Sequence, residues 1–190
     1  MTADGGSLQR LTDDPAQERY PDWSPDGNQL VFYSDKTGRQ EIYVTAREDR
    51  SSDWGEPRQV TFDGGALPRW SPDGRWIAYS NRRELRVVAP DGGDPHTLAG
   101  PNSMTALARN GLAEWSSDAA TVYYKATDMA GTASFWAVPI GGGTPRLLVR
   151  FDDPSKQSNR IEFTTDGERF YFTIGRQESD IWLMELFPPR

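Results

Sequence analysis

The sequence predicts an all-β fold, a β-propeller of four-stranded antiparallel blades with four blades to the chain. Three observations carry this. One short segment recurs four times at a spacing of about 47 residues, within the range of propeller blades. An alternating apolar run follows each copy. Turn formers and aromatics are abundant, with 18 Gly, 14 Pro, 7 Trp, 7 Tyr and 8 Phe in 190 residues, as many short strands joined by tight turns require.

The recurring segment reads Tyr20-Pro-Asp-Trp-Ser-Pro-Asp-Gly27, Leu67-Pro-Arg-Trp-Ser-Pro-Asp-Gly74, Leu112-Ala-Glu-Trp-Ser-Ser-Asp-Ala119 and Arg160-Ile-Glu-Phe-Thr-Thr-Asp-Gly167. Its first half is the first strand of each unit. Gln29–Ser34, Trp76–Ser80, Thr121–Lys125 and Arg169–Thr173 follow as second strands, rich in the β-branched and aromatic residues that a pleated surface favours. Third strands fall at Glu41–Val44, Leu85–Val88, Phe135–Val138 and Ile181–Met184. Weaker fourth strands fall at Arg58–Thr61, His96–Leu98 and Pro145–Leu148. The corresponding blades span about 18–61, 66–98, 111–148 and 159–186.

Ser-Pro-Asp-Gly is a tight turn by its chemistry. Pro presets φ, Asp bonds back to its own backbone, and Gly accepts the left-handed conformation. The third copy, Ser116-Ser-Asp-Ala119, has neither Pro nor Gly and predicts a looser turn or one of another type. The aromatics Trp23, Trp70, Trp115 and Phe163, each closing a first strand, are expected in the core, and the turn acids Asp26, Asp73, Asp118 and Asp166 are expected to be structural.

Pro-x-Trp-Ser-Pro-Asp-Gly, an aromatic strand, Ile-Tyr-Val and Arg-Gln-Val-Thr together resemble the TolB-type, WD40-like β-propeller repeat, over essentially the whole chain. The resemblance implies fold first, because propellers host unrelated activities. It further implies protein interaction and a periplasmic or cell-envelope setting.

Met1-Thr-Ala-Asp-Gly-Gly6 aligns with the end of a third strand, so Ser7–Thr12 reads as a fourth strand without a blade of its own. The last blade in turn lacks a fourth strand, and an unpaired edge invites a partner. Residues 7–12 are therefore expected to pair with Ile181–Leu186. Three architectures fit: a self-closed four-bladed ring, a two-fold pair of chains forming an eight-bladed ring, or a piece of a longer propeller. Bulky aromatics suit the step of about 45° of an eight-bladed ring better than the 90° or so of a four-bladed one, which favours self-association as a homodimer.

Composition narrows the chemistry. With no Cys, disulfides, thiol catalysis and thiolate metal sites are excluded. The net charge of −7 argues against nucleic acid as the main partner. No run has the length of a membrane span, and Met1–Gly6 has no signal-peptide character. The single histidine, His96, falls on an outer strand, and no Gly-x-Ser-x-Gly elbow occurs, so a Ser-His-Asp hydrolase site is not expected. Gly141–Gly143 lacks the Lys-Ser/Thr of a phosphate loop and reads as a turn. Asp13-Asp14 and Asp152-Asp153 lack the spacing of a calcium loop and read as solvated charge. No cofactor, catalytic residue or metal ligand is assigned.

Two sets of residues are candidates for binding. One position before each aromatic stand Asp22, Arg69, Glu114 and Glu162, which would ring the central channel, either pairing between blades or meeting a ligand. The loops leading into first strands and those joining second to third strands share the other face. They carry many cations, including Lys36 and Lys125, and the strongest binding candidates there are Arg39, Arg82, Arg83, Arg109, Arg160 and Arg176. Such a face suits an acidic peptide or protein surface. The expected function is a non-catalytic binding or scaffold propeller. The alternatives are the propeller portion of a larger enzyme, such as a prolyl-peptidase-like hydrolase, or a purely structural half-propeller.

Overall fold

The computed structural model describes residues 9–49, 52–100, 112–128, 132–153, 158, 160, 162–175 and 179–185. These form antiparallel sheets, each ordered as a simple meander. The first holds β1 (Glu18–Trp23), β2 (Gln29–Ser34), β3 (Glu41–Ala46) and β4 (Arg58–Gln59). The second holds β5 (Ala66–Trp70), β6 (Ile77–Asn81), β7 (Glu84–Val88) and β8 (His96–Ala99). The third holds β9 (Ala113–Trp115), β10 (Thr121–Thr127), β11 (Ala133–Pro139) and β12 (Arg146–Arg150). Among the described residues the fourth has three strands, β13 (Phe163–Thr165), β14 (Arg169–Gly175) and β15 (Ser179–Glu185).

The sheets stack in chain order through their buried faces. Trp70 of β5 joins a core with Val31, Ile42 and Val44 of the first sheet. Trp115 of β9 packs with Ala78, Leu85 and Val87 of the second. Phe163 and Phe170 of the fourth close on Phe135 of the third, with ring centroids 5.0 and 5.5 Å away. Each first-strand aromatic thus covers the sheet before it. Trp23 has no such sheet among the described residues and is 52% exposed, against 6% for Trp70 and 7% for Trp115. The expectation of core packing therefore holds for Trp70, Trp115 and Phe163 and is corrected for Trp23.

The turn after each first strand also departs from expectation. In the first copy the Ser24 hydroxyl donates to Asp26 Oδ1 at 2.6 Å and accepts the Gln29 N–H at 2.8 Å. The third copy repeats this geometry, with Ser116 donating to Asp118 at 2.6 Å and accepting the Thr121 N–H at 2.9 Å. Ala119 takes φ of 58° where Gly27 and Gly74 have 73° and 72°. The Ser–Asp bonds hold the turn, so loss of Pro and Gly does not loosen it. The turn that differs is the fourth: Thr165 pairs with Phe170 and Phe163 with Phe172, a tighter hairpin than Trp23 on Leu30 or Trp115 on Val122.

The first strands β1 and β5 each carry an irregularity, between Arg19 and Asp22 and between Ala66 and Arg69. Tyr20 and Leu67, each preceding a Pro, sit there at φ of 53° and 56°. An extra residue in one strand re-aims the side chains after it, and those side chains are Asp22 and Arg69. The third copy has Ala113 in place of the Pro and pairs regularly.

At the amino end, Gln9–Thr12 form no strand, and β15 pairs only with β14 among the described residues. Ser7 and Leu8 lie outside the described residues. Arg10 to Asp14 instead line a cleft with Lys36 and Trp54–Pro57 from the loops of the first blade. Within one chain this segment lies beside its own first blade, where Arg10 binds Asp13 at 2.8 Å.

Candidate binding surfaces

Three of the four residues expected at a central channel come together at the end of the sheets that carries the Ser-Pro-Asp-Gly turns. Asp22 Oδ2 accepts the backbone N–H of Trp70 at 2.8 Å. Arg69 Nε lies 3.5 Å from Glu114 Oε1, and the Arg69 carbonyl accepts the Trp115 indole N–H at 3.2 Å. These residues line a cleft of about 600 Å3 with Pro21, Trp23, Pro25, Trp70, Ser71, Pro72 and Trp115. Burial raises Glu114 to about 7; the Arg69 charge pulls it down and Asp22 pushes it further up. Burial also raises Asp22, against the Trp70 N–H and the Arg69 charge, which lower it. Two carboxylates thus share one guanidinium in a partly dry site. Glu162 is not among the lining residues. It is exposed just before β13, where its charge acts on Lys125.

At the opposite end, the loops leading into first strands meet the loops joining second and third strands. The Gln17 N–H donates to Asp35 at 2.9 Å, and Asn81 Nδ2 donates to the Asp63 carbonyl at 3.3 Å. Arg39 ion-pairs with the fully buried Glu41 at 2.6 Å. Arg82 and Arg83 form the exposed turn between β6 and β7, and Arg83 Nη2 donates to the Thr127 carbonyl of the third sheet at 3.3 Å. Arg160 is exposed, and its carbonyl accepts from Lys125. Arg109 and Arg176 lie outside the described residues. His96 is exposed, edge-on to Trp76 at 5.9 Å.

The sequence matches the family of the TolB beta propeller domain over residues 1–100, just over half of the 190. The chain belongs to the TolB β-propeller domain family. The "Tol-Pal system protein TolB" of Anaeromyxobacter dehalogenans is 42% identical over 101 residues, 50% of this chain and 22% of that protein. The "Uncharacterized peptidase YuxL" of Bacillus subtilis is 38% identical over 79 residues, 40% of this chain and 11% of that protein. The solved TolB from Acinetobacter baumannii superposes with a TM-score of 0.70 at 17% identity, over 96% of this chain and 44% of that one; this likeness is one of fold. The chain therefore matches less than half the length of any of the three relatives.

In this TolB-family domain two buried charges escaped sequence reasoning. Glu41 accepts the Thr61 hydroxyl at 2.6 Å and the Gly64 N–H at 3.1 Å, fixing the loop into the second blade. Gly65 is obligatory beside it, because a Cβ there would stand 2.7 Å from Ile42 Cγ1. Lys125 was expected on the open loop face but is 2% exposed. Its ammonium donates to the Ser158 carbonyl, the Ser158 hydroxyl at 2.7 Å and the Arg160 carbonyl, tying the third sheet to the loop before the fourth. Burial pulls Lys125 down to about 8, with the Glu162 charge acting in the other direction. A charged residue in an alternating strand looks solvent-facing in sequence. Only the oxygens of the next blade reveal that it is satisfied inside.

Proposed function

We propose that this domain is a non-catalytic protein- or peptide-binding propeller whose loop face, with Arg39, Arg82, Arg83 and Arg160, takes an acidic partner surface. The observation that carries the reading is the gathering of arginines in the turns of one face of a chain whose net charge is −7. Rigid sheets hold these turns, and loops held on such scaffolds are where recognition concentrates. Complementary charge supplies steering and specificity to such a contact. Arg109 and Arg176 belong to the same proposal by sequence position. Similarity to a Tol-Pal system TolB supports protein interaction in a periplasmic or envelope setting. Neither nucleic acid nor membrane insertion is part of this reading.

The channel cleft has a structural role in this scheme: Asp22, Arg69 and Glu114 join neighbouring blades. Another blade is proposed to cover Trp23. A second copy supplies it in a closed eight-bladed pair, supported by the contrast between exposed Trp23 and its buried counterparts Trp70 and Trp115.

A peptide array probed with the intact chain tests the reading. Acidic peptides are expected to be retained, and reversal of charge at Arg82 and Arg83 is expected to release them. Retention that survives the reversal would show that the face is wrongly assigned.

Similarity to a peptidase supports a second reading, that the domain is the propeller portion of a larger hydrolase. On that reading the catalytic residues lie outside these 190, so the purified chain is expected to turn over no peptide ester; turnover undiminished through repeated purification would overturn the non-catalytic reading itself.

A further inference from the structure

The turn between β6 and β7 is strained. The Arg83 N–H donates to the Asn81 carbonyl at 2.8 Å, closing a three-residue turn around Arg82, whose φ is 58°. A turn of this kind with positive φ at its centre is rare and strained, and glycine is the residue that fits it. The corresponding turn of the first blade has Gly38 at φ of 88°. Ala119 has the same φ in a turn that a Ser116–Asp118 bond holds; among the described residues no such side-chain bond holds the Arg82 turn, and strain kept there against an available glycine points to function.

Beneath the turn is a cleft of about 460 Å3 lined by Asp63, Asn81, Arg82, Arg83, Glu84 and Arg86. Three guanidiniums there face two carboxylates. Arg86 is committed to both acids, with Nη1 2.6 Å from Asp63 and Nε 3.8 Å from Glu84. Its Nε is buried without a hydrogen-bond partner. Arg83 reaches the Thr127 carbonyl with one nitrogen, and its other guanidinium nitrogens have no partner among the described residues. Arg82 makes no hydrogen bond or ion pair with a described residue. The unmatched charge of the cleft is therefore positive and lies in the Arg82–Arg83 turn.

We propose that the Arg82–Arg83 turn and the cleft beneath it bind a carboxylate side chain of an acidic peptide, the strained backbone at Arg82 being retained because it places two consecutive arginines on the wall of one cleft. This rests on the loop-face reading above and narrows it to one pocket. Guanidinium forks suit a planar carboxylate, which each can grip through two parallel N–H bonds. A free small carboxylate offers the same chemistry, but Arg39 and Arg160 on the same face favour a longer acidic segment.

The test uses a fluorescently labelled glutamate-rich peptide, a glutamine-rich control and free glutarate, titrated against the intact chain and its variants. The wild type is expected to bind the glutamate peptide saturably and the glutamine peptide not at all. Arg82→Gly is expected to raise the thermal midpoint by roughly 2–4 °C through release of the positive φ. The same change should weaken the glutamate peptide roughly tenfold, the worth of one charge-assisted contact. Arg82→Gln keeps the strain and should weaken binding without raising the midpoint. Unchanged peptide affinity in both variants overturns the pocket. If Arg160→Glu then abolishes binding, the loop-face reading survives without it. Absence of saturable binding by the wild type overturns both. Glutarate binding as tight as that of the peptide makes a small carboxylate the ligand and overturns the peptide assignment.

Discussion

Asp22 of the first blade accepts the backbone N–H of Trp70 in the second at 2.8 Å, so a single carboxylate joins two blades. Burial raises the Asp22 pKa, which means that its charge is tolerated at a cost while its acceptor oxygen is needed. Asp22→Ala leaves a half-buried N–H unpaired and is expected to lower stability by about 1–3 kcal/mol. Asp22→Asn keeps the acceptor, loses the charge and is expected to be near neutral. Urea denaturation of the three proteins at neutral pH compares them directly.

Ala119 offers a gain in stability. It holds φ of 58° where the first two copies have glycine, at a cost of about 1–2 kcal/mol for a residue with a Cβ. Ala119→Gly is expected to stabilise the chain by about 1 kcal/mol, and Gly74→Ala to destabilise it by a similar amount. Thermal denaturation reads both. A destabilised Ala119→Gly would mean that the turn is held by packing of the methyl group.

Glu114 makes stability depend on pH in an unusual direction. Its folded pKa of about 7 lies above the ordinary 4.5 because burial disfavours the carboxylate. Between those two values the folded state binds more protons than the unfolded one, so this group's contribution falls as pH rises from 4.5 and is lost fully above 7. The effect is on the order of 3 kcal/mol. Glu114→Gln is expected to remove that slope and to be the more stable protein at pH well above neutrality. Denaturant midpoints across the interval, wild type against variant, check the sign.

The strands were legible because alternation and aromatic content are local properties. Leu30, Val31, Phe32 and Tyr33 on β2, and Phe170 and Phe172 on β14, needed no partner to be recognised. The pairing of Arg69 with Glu114 was legible as a possibility, since both stand one position before the repeated aromatic. What depends on a neighbour was not. Trp23 has the sequence context of Trp70, but among the described residues no sheet covers it. Lys125 looked solvated until Ser158 and Arg160 of another blade supplied its oxygens. The third turn was misjudged because Pro and Gly are conspicuous, whereas the Ser116–Asp118 bond that fixes the turn is short-range and quiet.

Trp23 ties packing to assembly. With another copy over it, the intact chain is expected to scatter light as twice the mass of one chain, and Trp23→Glu as one. A monomer that does not change with concentration would contradict assembly through a second copy.

Hydrogen exchange of the intact chain, with and without a saturating acidic peptide, tests the central claim that the loop face is the binding surface. The account predicts slowed exchange at residues 36–40 and 81–84, with the turns at 24–28 and 71–75 unchanged. Protection confined to those latter turns, beside the cleft of Asp22, Arg69 and Glu114, would contradict it.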